Sequence, residues 1–229
     1  MRIKRNSTYI IAEIGINHEG NFARAKKLVN LAKKSGVDAV KFQVFKPETM
    51  AQKVSKKTDL QKKSTNQKES LYNMWKRVEL KENELRKLKI LTKKLSLDFI
   101  CSAFDEESLH IVKKLKPAAI KIASSDINDV ELLKEAKKLK LPVIISTGMA
   151  TQKDISKTIK LFQKQNSFFL HCVSMYPVPE NFINLNRMVS IKNRYKVNVG
   201  YSDHSNNFHA AFASVSLGAQ ILEKHFTDN

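Results

Sequence analysis

Charged side chains lie inside several short apolar segments of this sequence. Glu13 occupies one such segment, Lys41 and Lys121 occupy two others, and Glu223 occupies a fourth. A charge within an apolar segment is unfavourable unless it is paired or hydrogen-bonded. Four of them in one chain indicate a bound polar ligand, and a purely structural charge network is the alternative.

Hydroxyl and amide side chains accompany these lysines. Lysine supplies a point charge and serine supplies short-range donors, a combination that suits a phosphate and a carboxylate. Gln43 follows Lys41 by two residues, so the two share one face of a strand. The serines at the ends of the apolar segments are Ser102, Ser124, Ser146 and Ser202.

Two histidines fall at what we predict to be neighbouring strand ends. His204 and His225 suit a divalent metal site that keeps open positions for substrate and water. Glu13 is the best-placed general acid or base. His18 and His171 are weaker candidates, because each is equally explained as a buried structural or capping histidine.

Short β-rich runs alternate with longer amphipathic segments along the chain. The alternation predicts a parallel sheet with helices outside it. Eight strands in order favour a closed (β/α)8 TIM barrel, and no glycine-rich dinucleotide fingerprint follows the first strand. The active site of such a barrel lies at the C-terminal ends of the strands. Predicted strands cover residues 9–15, 39–44, 97–102, 118–123, 142–147, 168–173, 197–201 and 220–226, and predicted helices include 23–34, 81–95, 130–139, 154–163 and 209–217.

Two segments depart from a regular barrel. Residues 51–72 are polar and rich in lysine, and a loop of that length is usually functional or mobile. The sequence stops at Asn229, just after the eighth predicted strand, so no eighth outer helix is expected. Either the sequence is a fragment or another segment covers that side of the barrel.

The composition fits a single barrel domain over residues 1–229. Its 229 residues are 42% hydrophobic, which is enough for one sizeable core. The formal charge of +19 favours anionic partners, but the lysines recur along the predicted helices, which indicates solvated helix faces. We therefore expect neither a nucleic-acid partner nor a membrane partner.

The cysteine content and the apolar runs bear on the compartment. The two cysteines lie in separate apolar stretches and do not suggest a disulfide framework. The N-terminus has no cleavage pattern of a signal peptide, and no run of about 18 apolar residues occurs. These features predict a cytoplasmic protein.

Seven ordered motifs span nearly the whole chain. Together they resemble the N-acetylneuraminate (sialic acid) synthase family, which includes the legionaminate and pseudaminate synthases. Each motif alone is weak, whereas the ordered set is highly specific. The motifs are IAEIGINHEG at 11–20, AVKFQVF at 39–45, KIASSD at 121–126, ISTGM at 145–149, LHCVSMYPVP at 170–179, GYSDHS at 200–205 and EKHFT at 223–227.

The resemblance implies an activity and its site residues. Family enzymes join phosphoenolpyruvate to an N-acetylmannosamine-type sugar and release phosphate. By resemblance His204 and His225 are the metal ligands, usually for Mn²⁺ with Mg²⁺ or Co²⁺ as alternatives, and Glu13 is the catalytic carboxylate. Tyr176 and Asp126 match positions near the sugar. Positions around phosphoenolpyruvate are matched by Lys41, Gln43, Asn66, Ser102, Lys121, Ser124, Ser146 and Ser202.

The chain also departs from the family pattern. Asp126 stands where the sialic acid synthases typically carry glutamate, and Ser174 stands where asparagine is frequent, which bears on the identity of the sugar. The resemblance further implies a last barrel helix and a C-terminal antifreeze-like domain, both absent from this sequence. In the family that domain reaches the partner's site in a homodimer.

Two alternatives remain at the level of sequence. One is another barrel enzyme acting on phosphoenolpyruvate, such as a 3-deoxy-sugar-acid synthase, which would need extra basic residues at the barrel mouth for a phosphorylated sugar. The other is a non-catalytic barrel that binds anionic ligands or nucleic acid through its charge.

Overall fold

A closed barrel of eight parallel strands forms the centre of the molecule, as the alternation of patterns predicted. The computed structural model describes residues 1, 3, 7–51, 57, 61–62 and 69–228. The strands pair in sequence order from the first to the eighth, and the eighth closes on the first. They are β1 Tyr9–Gly15, β2 Ala39–Val44, β3 Asp98–Ala103, β4 Ala119–Ile122, β5 Val143–Ser146, β6 Ser167–His171, β7 Asn198–Asp203 and β8 Ile221–His225.

Helices surround the barrel. One α-helix follows each of β1, β3, β4, β5, β6 and β7, and three described α-helices lie between β2 and β3. They are α1 Phe22–Lys34, α2 Pro47–Met50, α3 Leu71–Val78, α4 Glu82–Lys94, α5 Glu106–Leu115, α6 Val130–Lys138, α7 Gln152–Phe162, α8 Asn186–Tyr195 and α9 His209–Ser216. Residues 226–228, which follow β8, are not helical, and Ile10 on the outer face of β1 is 39% exposed.

Local sequence explains where these helices begin and end. Side-chain oxygens of the N-cap residues accept hydrogen bonds from backbone N–H groups of the first turn, which stabilises each start. Lysines in the last turns of α1 and α4 favour the negative end of the helix dipole. N-cap residues that accept such bonds are Asn21, Ser70, Asp105, Asp129 and Thr151.

Alternation along the strands divides the apolar residues into two groups. Residues that point outward pack beneath the helices and form the larger core. Those that point inward fill the lower part of the barrel, so the interior is packed rather than open. The inward apolar cluster comprises Tyr9, Ile11, Ala39, Ile100, Ala119, Ile144, Phe168, Leu170 and Ile221.

The predicted element boundaries were correct for β1 and β2 and wrong elsewhere by one or two residues. The strand predicted at 197–201 extends to Asp203, so Ser202 belongs to β7. The strand predicted at 168–173 ends at His171. Such differences occur because strand ends depend on pairing with neighbours, which a local pattern does not contain. The long polar segment predicted at 51–72 overlaps the start of α3, which begins at Leu71.

Gly200 allows the seventh strand to approach its neighbours closely. A Cβ atom at this position would collide with the backbone oxygen of Ile221 and lie 2.6 Å from Cδ2 of Leu170. Neither neighbour moves easily, because both belong to the packed barrel interior.

We therefore expect Gly200→Ala to lower the free energy of unfolding by roughly 1–3 kcal/mol, the usual cost of overpacking a core. Urea unfolding followed by circular dichroism measures the change. Gly36→Asn is a suitable control, since no atom lies within 4 Å of its Cβ position and asparagine tolerates its φ of +77°. Equal stability of Gly200→Ala and the unaltered chain would contradict this view of the barrel.

Candidate active site

Four charged side chains from four strands meet inside the barrel, above the inward apolar cluster. Lys41 Nζ lies 3.0 Å from Glu13 Oε2 and 3.7 Å from Glu223 Oε1. Lys121 Nζ lies 3.4 Å from the same Glu223 oxygen. All four side chains are buried. We call Glu13, Lys41, Lys121 and Glu223 the charged floor of the site.

Strand register explains why these residues meet. Glu13 pairs with Lys41 across β1 and β2, and with His225 across β1 and β8. Glu223 lies two residues before His225, so both point inward. The sequence analysis had grouped Glu223 with the buried charges that indicate a bound ligand, and the period of two placed it on one face with His225, but it gave Glu223 no individual role.

Serine hydroxyls surround the charged floor. Lys41 donates to Ser102 Oγ at 3.2 Å, and Lys121 donates to Ser146 Oγ at 2.8 Å. Ser202 Oγ donates to Glu223 Oε1 at 3.0 Å. The predicted grouping of lysines and serines is therefore present in the structure.

Gln43 and Glu13 form a further contact. Gln43 Nε2 donates to Glu13 Oε1 at 3.0 Å, which fixes the orientation of the carboxylate. The other oxygen of Glu13 faces Lys41. Glu13 is thus held in place from two sides, as a group that handles protons at a defined position must be.

The protein environment sets the ionisation of the charged floor. Burial alone would lower the pKa of Lys41, but the carboxylates of Glu13 and Glu223 outweigh it and raise that pKa. Burial lowers the pKa of Lys121, and Glu223 offsets only part of this effect. Burial would raise the pKa of Glu223, but Lys121 and Lys41 hold it well below the usual range. The four charges are therefore mutually dependent.

The two predicted metal ligands lie beside the charged floor. The rings of His204 and His225 have centroids 5.7 Å apart. Tyr176 stacks on His204 with centroids 4.1 Å apart and meets His225 edge-on. These contacts group the two imidazoles and the phenol ring at the ends of β7 and β8.

Both imidazoles are suited to bind a cation. His204 Nδ1 lies 2.8 Å from the carbonyl oxygen of Val173, which makes Nδ1 the protonated nitrogen. The lone pair on Nε2, 3.4 Å from Ser202 Oγ, is then available to a metal, because that hydroxyl donates to Glu223. Burial lowers the pKa of His204 to about 4. His225 lines the cavity, and its burial among the surrounding protein atoms lowers its pKa as well. Both rings are therefore neutral at pH 7.

His204 and His225 are the two metal ligands that the sequence predicted. Among the described residues, no group of three or more His, Cys, Asp and Glu side chains is arranged to hold a metal ion. Two neutral imidazoles would leave the other positions of a divalent metal open to substrate and water.

A cavity of about 510 Å³ joins these parts at the C-terminal ends of the strands. Of the predicted site residues that the structure describes, all except Asp126 line it. The other predicted members are Glu13, Lys41, Gln43, Ser102, Lys121, Ser124, Ser146, Tyr176, Ser202, His204 and His225.

One described member of the predicted set, Asp126, is not part of this lining. Asp126 accepts a hydrogen bond from Ser125 at 2.8 Å, and burial raises its pKa, but it does not line the cavity. Asn66 lies outside the described residues. Ser174, which the sequence had noted only as a departure, does line the cavity and lies 2.9 Å from Ser124 Oγ.

The two weaker histidine candidates have structural roles. His18 is buried, accepts a hydrogen bond from the Gly20 amide at 3.0 Å and stacks on Phe42. His171 points outward from β6, where Nε2 lies 2.6 Å from the carbonyl oxygen of Ile183. Both therefore match the capping or core alternative.

Sequence reasoning missed the apolar part of the lining. Met50, Trp75 and Phe104 lie in segments that carry no periodic charged or hydroxyl pattern. Cys172 also lines the cavity as a buried free thiol, and burial raises its pKa. No signal in the sequence distinguished these residues from ordinary core residues.

The fold and this cavity define a (β/α)8-barrel protein with a buried charged floor beside two neutral histidines. The NeuB family matches residues 28–229. The chain belongs to this family, as the ordered motifs had indicated.

Relatives with known names support this assignment. The N,N'-diacetyllegionaminic acid synthase of Campylobacter jejuni is 40% identical over 96% of this chain and 67% of its own length. The enzyme of the same name from Legionella pneumophila is 38% identical over 96% of this chain and 64% of its own length. The chain thus spans about two thirds of the length of these relatives.

A solved structure agrees with the fold. The N-acetylneuraminic acid synthetase of Leptospira borgpetersenii, crystallised with citrate, superposes with a TM-score of 0.88 at 32% identity. The superposition covers 100% of this chain and 76% of that one.

Glu223 balances both lysines of the charged floor, so its charge should matter for stability. We expect Glu223→Gln to lower the free energy of unfolding at pH 7 by about 3 kcal/mol, because Lys121 loses its carboxylate partner in a buried position. Chemical denaturation measures the difference. Glu135→Gln, which alters an ion pair on an exposed helix, should change stability by less than about 1 kcal/mol.

The difference in stability between the unaltered chain and Glu223→Gln should depend on pH. The pKa of Glu223 is lower in the folded protein than its ordinary value of 4.5, so its stabilisation is present above that pH. The stabilisation is lost as the pH falls toward the folded-state pKa. A stability difference that stays constant on acidification would contradict the charge network.

Proposed function

We propose that the chain catalyses the condensation of phosphoenolpyruvate with the open-chain aldehyde of an N-acetylmannosamine-type amino sugar. The products are a nine-carbon sialic acid-like keto acid and inorganic phosphate. The observation that carries this proposal is the pairing of Lys41 and Lys121 with serine hydroxyls beside two neutral histidines. Family membership supports it, since the named relatives are synthases of such acids.

Phosphoenolpyruvate is matched to the lysines and serines of the floor. It carries a phosphate and a carboxylate, and ammonium and hydroxyl groups are suitable donors for both. Glu223 Oε2 is buried without a hydrogen-bond partner among the described residues, so the floor has acceptor capacity for a ligand hydroxyl or water. Phosphoenolpyruvate held by the floor would direct its carbon 3 toward the open part of the cavity.

The reaction forms one carbon–carbon bond and, from water, one carbon–oxygen bond, and it cleaves the carbon–oxygen bond to phosphate. Carbon 3 of phosphoenolpyruvate attacks the aldehyde carbon, whose oxygen takes up a proton and becomes a hydroxyl, and water adds to the cationic carbon 2. The resulting tetrahedral centre expels phosphate and leaves the keto group. Glu13, which Gln43 and Lys41 hold in place, stabilises the cation and takes up the proton of the attacking water.

His204 and His225 would hold a divalent metal, for which Mn²⁺ is our first choice. Such a metal supplies Lewis-acid polarisation of the sugar carbonyl. Tyr176 keeps the His204 ring in place, and Val173 fixes its tautomer. Holding both substrates in one cavity provides proximity and orientation.

The compartment is also inferred. Cys101 and Cys172 are both free and buried, in agreement with a reducing cytoplasm. No helix within the described part of the chain is long and apolar enough to cross a membrane. The family resemblance implies that a longer form of the protein would act as a homodimer.

Phosphate release tests the proposed chemistry directly. With phosphoenolpyruvate, N-acetylmannosamine and Mn²⁺ present, we expect phosphate to appear only when the sugar is added. Glu13→Ala should reduce the rate by at least about 100-fold, the usual contribution of a positioned acid or base. Glu107→Ala, at an exposed position, is the matched control. Sugar-independent release, or full activity of Glu13→Ala, would refute the proposal.

Metal binding is tested separately by thermal stability. Mn²⁺ should raise the unfolding temperature of the unaltered chain, because a ligand that binds only the folded state stabilises it. His225→Ala should lose this shift, and His110→Ala, on the exposed face of α5, should keep it. An unchanged Mn²⁺ shift in His225→Ala would exclude it as a ligand.

A further inference from the structure

Two charged residues that point away from the cavity lie next to the two histidines of the site. Asp203 precedes His204 at the end of β7. Lys224 precedes His225 on β8 and is the register partner of Asp203. Because side chains alternate along a strand and Glu223 points inward, Lys224 points outward. Both charged residues lie in the motifs GYSDHS and EKHFT, yet the proposed reaction gives neither of them a role.

The ammonium group of Lys224 has a complete set of partners. Its Nζ donates to Asp203 Oδ2 at 2.7 Å and to the backbone carbonyl oxygens of Ser205 at 2.8 Å and Asn207 at 3.2 Å. A lysine ammonium has three N–H donors, so three oxygen atoms satisfy it. The ring of Phe208 lies over the same ammonium, with its centroid 5.8 Å from Nζ. We call Lys224, Asp203 and the carbonyl groups of Ser205 and Asn207 the Lys224 clamp.

Asp203 connects this clamp to the backbone on both sides of His204. Its side chain is fully buried, and Oδ2 pairs with Lys224. The other oxygen, Oδ1, accepts a hydrogen bond from the Ser205 amide at 2.8 Å, which closes a turn around His204. The carbonyl oxygen of His204 accepts a further bond from the Val178 amide at 3.0 Å. The backbone that carries the His204 imidazole is therefore held from several directions.

A single side chain thus connects the two histidines. Lys224 is covalently joined to His225, and its ammonium fastens the loop between β7 and α9 that carries His204. Side chains on loops are positioned less precisely than side chains on strands unless neighbouring contacts support them. Two ligands that are already in place bind a cation more tightly, because no rearrangement subtracts from the binding free energy. The clamp supplies this support for two imidazoles whose centroids lie 5.7 Å apart.

We propose that Lys224 is a positioning residue for the metal site, which holds His204 through the clamp at the separation from His225 that binding of one divalent cation requires. The inference rests on the proposed function, since it takes the two histidines as metal ligands. Lys224 does not line the cavity and acts only through the backbone of the loop. Loss of its ammonium therefore lowers metal affinity and leaves the charged floor unchanged.

The Mn²⁺ affinity of Lys224→Met tests this role. Electron paramagnetic resonance of the free ion measures the dissociation constant without turnover. Methionine keeps an unbranched side chain of similar length and removes all three donors. We expect Lys224→Met to bind Mn²⁺ at least about tenfold more weakly, the usual effect of removing a group that orients a metal ligand. Its affinity for phosphoenolpyruvate, measured by titration calorimetry without metal, should equal that of the unaltered chain.

Lys89→Met is the matched control. Lys89 on α4 is partly buried like Lys224, and it also donates to a backbone carbonyl, that of Leu115 on α5. This variant should keep the Mn²⁺ affinity of the unaltered chain.

Asp203→Asn tests the clamp from its other end, independently of whether Lys224→Met folds. The amide keeps an oxygen for the Ser205 N–H group and removes the charge that pairs with Lys224. Loss of this one bond should weaken Mn²⁺ binding by at least about threefold. Phosphoenolpyruvate affinity should again be unchanged.

The outcomes separate the positioning role from the proposed function. Undiminished Mn²⁺ binding in Lys224→Met and Asp203→Asn would overturn the positioning role alone. An equal loss of phosphoenolpyruvate affinity in these variants would also overturn it, because that result indicates general disruption of the barrel mouth. Absence of Mn²⁺ binding by the unaltered chain would instead refute the metal site of the proposed function, and the positioning role with it.

Discussion

The ion pairs among Glu13, Lys41, Glu223 and Lys121 are the interaction on which the rest of the structure depends. Each of these charges is buried, and a buried charge without a partner is strongly destabilising. The partners come from β1, β2, β4 and β8, so they meet only when the barrel is closed. Closure of the fold and assembly of the site are therefore the same event. The inward apolar cluster beneath them excludes water and supplies the hydrophobic stabilisation that offsets their desolvation.

The cavity combines two kinds of surface. The charged floor and its serines present ammonium and hydroxyl donors, and the histidine pair lies beside them at the ends of β7 and β8. Ile16, Trp75 and Phe104 add apolar surface to the same cavity. Ligand pockets commonly combine an apolar lining with a small number of placed polar groups that fix the orientation of the ligand.

The large positive charge of the chain belongs mostly to the outside of the barrel. Lysines in the last turns of α1, α4 and α5 are favoured by the helix dipoles and by solvent. Inside, the two lysines of the floor are balanced by two glutamates, which keeps the interior near electrical neutrality. Net charge is therefore a poor guide to the ligand, as the periodic placement of the lysines had indicated. The local pairing of charges in the cavity is more informative.

The sequence by itself determined the barrel and most of the polar lining of the cavity. Strand–helix alternation predicted the fold, and the period of two placed Lys41 with Gln43, and Glu223 with His225, on inward faces. These features are local, so a linear pattern records them. The tertiary structure alone decided that Glu223 bridges both lysines, that Asp126 does not line the cavity and that Trp75 does. Contacts between distant strands and loops decide these points, because barrel closure and loop paths depend on the packing of the whole chain.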